Sequence, residues 1–99
     1  MGRLKLVVRP IASQDLAEII RYIADRADLS TAKRYNLRLD QRFESLLIAP
    51  GMGAPYSRMP GIRKINEGPY KIFYRVTETE IVILRLWDGR RGSEPNLSR

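Results

Sequence analysis

Ninety-nine residues with a formal charge of +7, no cysteine and no histidine make one domain with one modest core, covering residues 1–99. They exclude a disulfide framework or thiolate metal site, and they remove the imidazole that usually serves as general base or zinc ligand near neutral pH. No apolar run reaches the length of a membrane span and the N-terminus lacks a signal-peptide core, so a cytoplasmic protein with no membrane contact is expected.

The charge is unevenly placed. Arg3, Lys5 and Arg9 make the first twelve residues basic with no acid, residues 13–49 are balanced, and residues 50–99 are basic again. Such an imbalance favours an anionic partner: nucleic acid, a nucleic-acid-bound machine or an acidic peptide.

Leu4, Leu6 and Val8 alternate with Lys5, Val7 and Arg9 before Pro10, which predicts a short strand with one apolar face. Ser13 is the expected cap of a helix over about 14–28, with Asp15 and Glu18 in its first turns. Leu16, Ile19, Ile20, Ile23 and Ala27 form its apolar stripe. A second helix, capped by Ser30, carries Ala32, Tyr35, Leu39, Phe43, Leu46 and Leu47 inward and stops before Pro50-Gly51. The short connection implies a helical hairpin. Tyr22 and Tyr35 are read as core or core-edge packing.

Residues 50–61 hold three of the six prolines and three of the seven glycines, which makes them a loop. Strands are expected from Ile62 to Asn66, over the alternating run Tyr70 to Val76, and from Ile81 to Trp87, the most apolar stretch. Turns fall at Glu67-Gly68-Pro69, Thr77 to Glu80 and Asp88-Gly89. The fold class is α+β with two layers: an antiparallel sheet with a helical hairpin on one face, in the order β-α-α-β-β-β. Alternation places Leu6, Ile72, Tyr74, Val82, Leu84 and Leu86 under the helices. It places Lys5, Lys71, Phe73, Arg75, Arg85 and Trp87 on the opposite, basic face, unless a bulge flips part of the pattern.

Catalysis finds little support in these residues. Without His or Cys the acid–base candidates are Asp, Glu, Lys and Tyr. The acids near the sheet end, Glu67, Asp88 and Glu94, have no catalytic spacing, and Asp88 is expected to cap its turn or pair with a neighbouring arginine. Gly51-Met52-Gly53 lacks the following Lys-Ser or Lys-Thr and the helix of a phosphate-binding loop. No acidic cluster resembles a metal site, and no cofactor is expected. Binding fares better. Arg63, Lys71, Arg75, Arg85, Arg90 and Arg91 interleave with Tyr70, Phe73, Tyr74 and Trp87, and guanidinium forks with aromatic rings suit phosphates, carboxylates, bases or peptide anchors. Tyr70 and Tyr74 are expected in the core. Arg85, a lone cation in an apolar strand, needs a specific partner.

The element order, with Gly61-x-Arg63, Tyr70-x-Ile72-x-Tyr74-x-Val76, Ile81-x-Ile83 and Trp87-Asp88-Gly89-Arg90-Arg91, resembles the RelE/ParE superfamily of bacterial toxins over nearly the whole chain. The resemblance implies a toxin of a type II toxin–antitoxin pair, bound by a cognate antitoxin whose C-terminal segment folds onto it as helix and added strand, in a heterotetramer. It implies one of two actions. The RelE-like branch cuts messenger RNA on the ribosome with basic residues plus a C-terminal tyrosine or a histidine. The ParE-like branch inhibits DNA gyrase without nuclease chemistry. The basic residues of the former would fall on Lys71 and on Arg90 or Arg91. Its terminal aromatic and its histidine are missing, and many relatives carry His where Asp88 or Gly89 stands. The ParE-like reading is therefore preferred, with no catalytic residues. Arg63, Lys71, Arg75, Arg85, Trp87, Arg90 and Arg91 would form the antitoxin- or target-binding surface, and the tail after Gly92 would touch gyrase. The alternatives are the ribosome-dependent endoribonuclease, or a non-toxic module that binds an antitoxin or nucleic acid.

Overall fold

A computed structural model describes residues 3–97. The chain runs β1 (Lys5–Val8), α1 (Pro10–Arg26), α2 (Leu29–Ile48), a single 3-10 turn (Pro50–Met52), β2 (Ala54–Pro55), β3 (Arg63–Glu67), β4 (Tyr70–Val76) and β5 (Glu80–Asp88). This is the expected order with one short strand added inside the Pro/Gly loop.

Both helix starts lie upstream of the expected caps. Pro10 occupies the first helical turn of α1, where its missing N–H is no loss and its φ is preset. Ser13 therefore lies inside α1, donating its backbone N–H to Arg9 O at 3.0 Å. At α2 the cap is Asp28, not Ser30: its carboxylate accepts the Thr31 N–H at 2.7 Å, the usual bond to the third helical residue. That bond holds the Asp28 carboxyl below the usual carboxylate range.

The sheet order is β1-β5-β4-β3-β2. β3, β4 and β5 form the expected antiparallel meander. β1 lies beside β5 in parallel, with Leu6 opposite Ile81 and Val8 opposite Ile83, so the sheet is mixed. β1 accompanies only the first half of β5; the Arg9 N–H to Ile83 O bond closes the pairing at 3.1 Å.

A β-bulge in β5 resets the faces. Phe73 pairs with Arg85, but its neighbour Tyr74 pairs with Ile83, which leaves Leu84 as the extra residue. Below the bulge, Ile81 and Ile83 face the helices; above it, Leu86 does. They pack with Ile72, Tyr74, Ala12, Leu39, Phe43 and Leu46 in the main core. The expectation that Val82 and Leu84 lie under the helices is corrected by this one inserted residue. Both sit on the other face, in a second cluster with Tyr56, Ile62, Phe73 and Leu97.

A third cluster joins the hairpin to the sheet end through Ile23, Ala32 and Tyr70. The Tyr35 and Tyr70 rings meet edge to face at 5.8 Å, a favoured aromatic geometry. Tyr22 departs from expectation: it is 45% exposed, with the Arg26 guanidinium over its ring. Glu67, at the end of β3, is the one charged residue buried among the described residues. Arg38 and Arg42 of α2 hold its two oxygens at 2.8 and 2.9 Å, which ties the second helix to the sheet.

Candidate functional site

On its β1 side the second half of β5 has no strand beside it, and α1 fills the place. Asp15, one turn into α1, accepts the Leu86 backbone N–H at 3.0 Å as a neighbouring strand's carbonyl would. The same carboxylate takes the Arg85 fork through Nε at 2.7 Å and Nη2 at 3.0 Å. The two side chains are only 14% and 12% exposed. Bidentate pairing of this kind is strong and directional, and the bonds to Asp15 raise the Arg85 pKa. The cation that stood alone in the sequence thus has its partner on α1.

Trp87 lies on the face away from the helices and packs against the second cluster. Its indole N–H donates to Ser93 O at 2.9 Å. The Arg91 guanidinium lies over its ring at 4.3 Å and that of Arg85 at 5.4 Å. Cations on an indole face are held by its quadrupole.

The expected open basic face is covered by the chain itself. After Gly92 the chain turns back across the sheet. Ser93 O accepts from Trp87, Asn96 O accepts from Arg85 at 3.3 Å, and Leu97 enters the cluster of Phe73, Val82 and Leu84. Pro95 is buried between them. From the other side, the loop after β2 contributes Tyr56, whose ring meets Phe73 edge-on at 5.1 Å. The Tyr56 hydroxyl donates to Glu94 Oε1 at 2.8 Å. Burial raises the Tyr56 pKa, and the Glu94 carboxylate raises it further. That same bond, with Lys71, Arg58 and Lys64 nearby, holds the Glu94 carboxyl below the usual range. Phe73 is consequently fully buried and not part of an open surface.

Asp88 does what its position implies. It accepts the Arg90 backbone N–H and clamps the Arg90 fork with both oxygens, each at 2.9 Å. The clamp lowers the Asp88 pKa and raises that of Arg90. Gly89 has no room for a side chain: a Cβ there would stand 2.8 Å from Pro69 O and 3.2 Å from Lys71 Cε. Behind this turn, a groove of about 310 Å³ lies between α1 and the open edge of β5, lined by Glu18, Ile19, Tyr22, Tyr70, Leu86 and Arg91 among others.

The structure therefore gathers Lys71, Arg85, Trp87, Arg90 and Arg91 at one end of β4 and β5. Two of the expected residues lie elsewhere. Arg63 donates to the carbonyls of Gly53 at 2.6 Å and Gly51 at 3.4 Å and fastens the Pro/Gly loop. Arg75 is exposed at the far end of β4, opposite Val82. Sequence reasoning missed Asp15, Tyr56, Glu94 and Leu97. Asp15 had a usable signal: it flanks the apolar stripe of α1, and a buried Arg85 requires an acid. The other three become visible only once the tail folds back. Among the described residues no group of three or more His, Cys, Asp or Glu is placed to hold a metal, and no helix is long and apolar enough to cross a membrane.

Comparison with known proteins places these observations. The family model described as the ParE toxin of the type II toxin–antitoxin system parDE matches residues 6–92. The chain is 30% identical over its whole length to Toxin ParE3 of Caulobacter vibrioides, covering 98% of that protein. It is 30% identical to Toxin ParE1 of Mycobacterium tuberculosis, over 94% of this chain and 97% of that one. Among solved structures it is similar to a chain of the chromosomal ParDE system from P. aeruginosa, with TM-score 0.75 and 24% identity over 85% of this chain and 94% of that one. It is also similar to a chain of the RelBE2 toxin–antitoxin complex from M. tuberculosis, with TM-score 0.62 and 24% identity over 89% and 93%. At these identities the two structures speak for the fold.

Proposed function

This chain belongs to the ParE toxin family of type II toxin–antitoxin systems, and we propose that it acts in the cytoplasm by binding and inhibiting DNA gyrase, held in check by a cognate antitoxin. The observation that carries the gyrase reading is how the candidate cations are used. Arg85 is committed to Asp15 and Arg90 to Asp88, while Arg91 lies on Trp87. Cleavage by 2′-hydroxyl attack wants a base and an acid beside its phosphate clamp. Among the cations gathered at the sheet end, Arg90 is already clamped by a carboxylate, and the residues around them supply neither the histidine nor the terminal aromatic of the RelE-like branch. A binding surface asks only for shape and charge, which this end of the sheet supplies.

The antitoxin reading draws on two features. Structures similar to this one come from toxin–antitoxin systems. The sheet ends on one side in β1, a strand that begins at Lys5 and is flanked by Arg3 and Arg9, where an acidic partner segment would add with favourable charge. A heterotetramer with two antitoxin chains is the expected assembly. The tail after Gly92 is the proposed gyrase contact; its last two residues, Ser98 and Arg99, lie outside the described residues.

A supercoiling assay with purified gyrase tests the proposal. Loss of supercoiling at stoichiometric toxin, restored by the antitoxin, is expected; normal supercoiling at a large excess of toxin overturns the gyrase claim. Ribosome-dependent cuts in translated messages after induction would instead support the endoribonuclease.

A further inference from the structure

The tail does more than end the chain: it sits in a formed groove, and its own chemistry describes what the groove accepts. Four contacts hold it. The Glu94 carboxylate takes the Tyr56 hydroxyl at 2.8 Å, with Lys71, Arg58 and Lys64 lowering its pKa further. Leu97 fills an apolar socket with Phe73, Val82 and Leu84. Two backbone carbonyls, Ser93 O and Asn96 O, accept hydrogen bonds from the Trp87 indole N–H and the Arg85 guanidinium. Cationic rim, apolar socket and donors aimed at main-chain carbonyls are the parts of a site for an extended peptide.

We propose that this face of the sheet is a peptide-docking groove that the free protein fills with its own residues 93–97. Its intended occupant is a partner segment of the same pattern: extended, with a carboxylate three residues ahead of a branched apolar side chain. The partner segment enters by displacing the tail. The bulge at Leu84 is what creates the socket, because it turns Leu84 away from the helices. The inference goes beyond the toxin–antitoxin reading and does not rest on it, since the test uses neither gyrase nor antitoxin.

Trp87 is the only tryptophan in the chain and reports directly on the groove. The experiment compares the full-length protein with its Glu94→Lys, Leu97→Ser double variant, using a fluorescein-labelled peptide that copies residues 92–97. In the wild type the tethered tail competes at an effective concentration of about a millimolar, as short linkers do, so the peptide binds poorly. In the double variant the groove is vacated. Trp87 emission shifts to the red, the peptide binds at least tenfold more tightly, and saturating peptide restores the wild-type emission. A peptide with lysine in place of the glutamate does not bind. Equal peptide affinity for the two chains, or unchanged Trp87 emission in a folded double variant, overturns the proposal. Should the double variant fail to fold, Leu97→Ala weakens only the tail and leaves the groove and the peptide's own leucine intact; it is expected to raise peptide affinity about fivefold, and no change there overturns the proposal as well.

Discussion

The two faces of one sheet are covered in two different ways. Toward the helices, the nine residues of the main core are aliphatic or aromatic and at most 3% exposed, and a helix of twenty residues lies across them. Away from the helices, the cluster of Tyr56, Ile62, Phe73, Val82, Leu84 and Leu97 is closed by a loop and a five-residue tail. The first cover is tied by long elements whose removal would unfold the chain. The tail's part of the second cover is held by Leu97, the buried Pro95 and a few polar clasps, each worth about 1 kcal/mol net. Local opening draws on regions with few buried contacts. One face therefore carries more of the burial that stabilises the molecule, and the tail's side of the other is the less firmly held.

The sharpest test of this contrast is a pair of truncations. Ile83→Ala removes a fully buried side chain from the helix-facing core and should cost about 3 kcal/mol, within the roughly 2–5 kcal/mol of such changes. Leu97→Ala, on the tail, should cost about 1 kcal/mol, because the tail can lift and the socket can take water. Urea denaturation of both variants, followed by far-UV circular dichroism, checks the difference. Equal losses would mean that the tail is as much a part of the core as α2.

Next in size is Asp15, which joins the faces at the open edge of β5. Asp15→Ala strands the Arg85 cation and leaves the Leu86 N–H unpaired, at a cost of about 2 kcal/mol; breaking a partly buried pair from one side costs more than the pair contributes. Asp15→Asn keeps an acceptor and should cost about half of that. Thermal melts of the two variants distinguish loss of charge from loss of the edge bond. Identical melts would assign the whole effect to loss of the charge that pairs with Arg85 and none of it to the edge bond.

The helix-covered face was largely legible in the sequence. Period-2 alternation in Tyr70 to Val76 and the stripe of Leu39, Phe43 and Leu46 report burial directly. The bulge was not, because one extra residue at Leu84 leaves an unbroken apolar run on either reading. The helix starts moved for local reasons: Pro10 can open a helix as well as close a strand, and Asp28 caps as well as Ser30. The tail-covered face was hidden for a deeper reason. Glu94, Pro95, Asn96 and Leu97 carry no periodicity, so nothing local says where they dock. Arg85 was correctly singled out as needing a partner. That this partner is Asp15, 70 residues earlier in the chain, and that Trp87 meets a carbonyl of the tail, are properties of topology alone.

The smallest expected effect separates the faces by charge. The main core contains no acid, whereas the tail is clasped through Glu94. The Tyr56 hydroxyl, and then the nearby Lys71, Arg58 and Lys64, hold that carboxyl below the ordinary glutamate range. A depressed pKa means that the folded tail prefers the ionised form. Its contribution is fully present above the unfolded pKa and is lost as pH falls through the lower folded value. Trp87 emission should therefore stay constant from neutral pH down to the ordinary glutamate range and shift only below it, while helical circular dichroism holds. Asp88, lowered by its bond to Arg90, titrates in the same acidic window and close to the same ring. Glu94→Gln and Asp88→Asn must thus be compared. The tail reading requires the emission change to vanish in the Glu94 variant and persist in the Asp88 one; the reverse pattern would place the acid response in the Arg90 turn and leave the tail held by Leu97 and the backbone carbonyls alone.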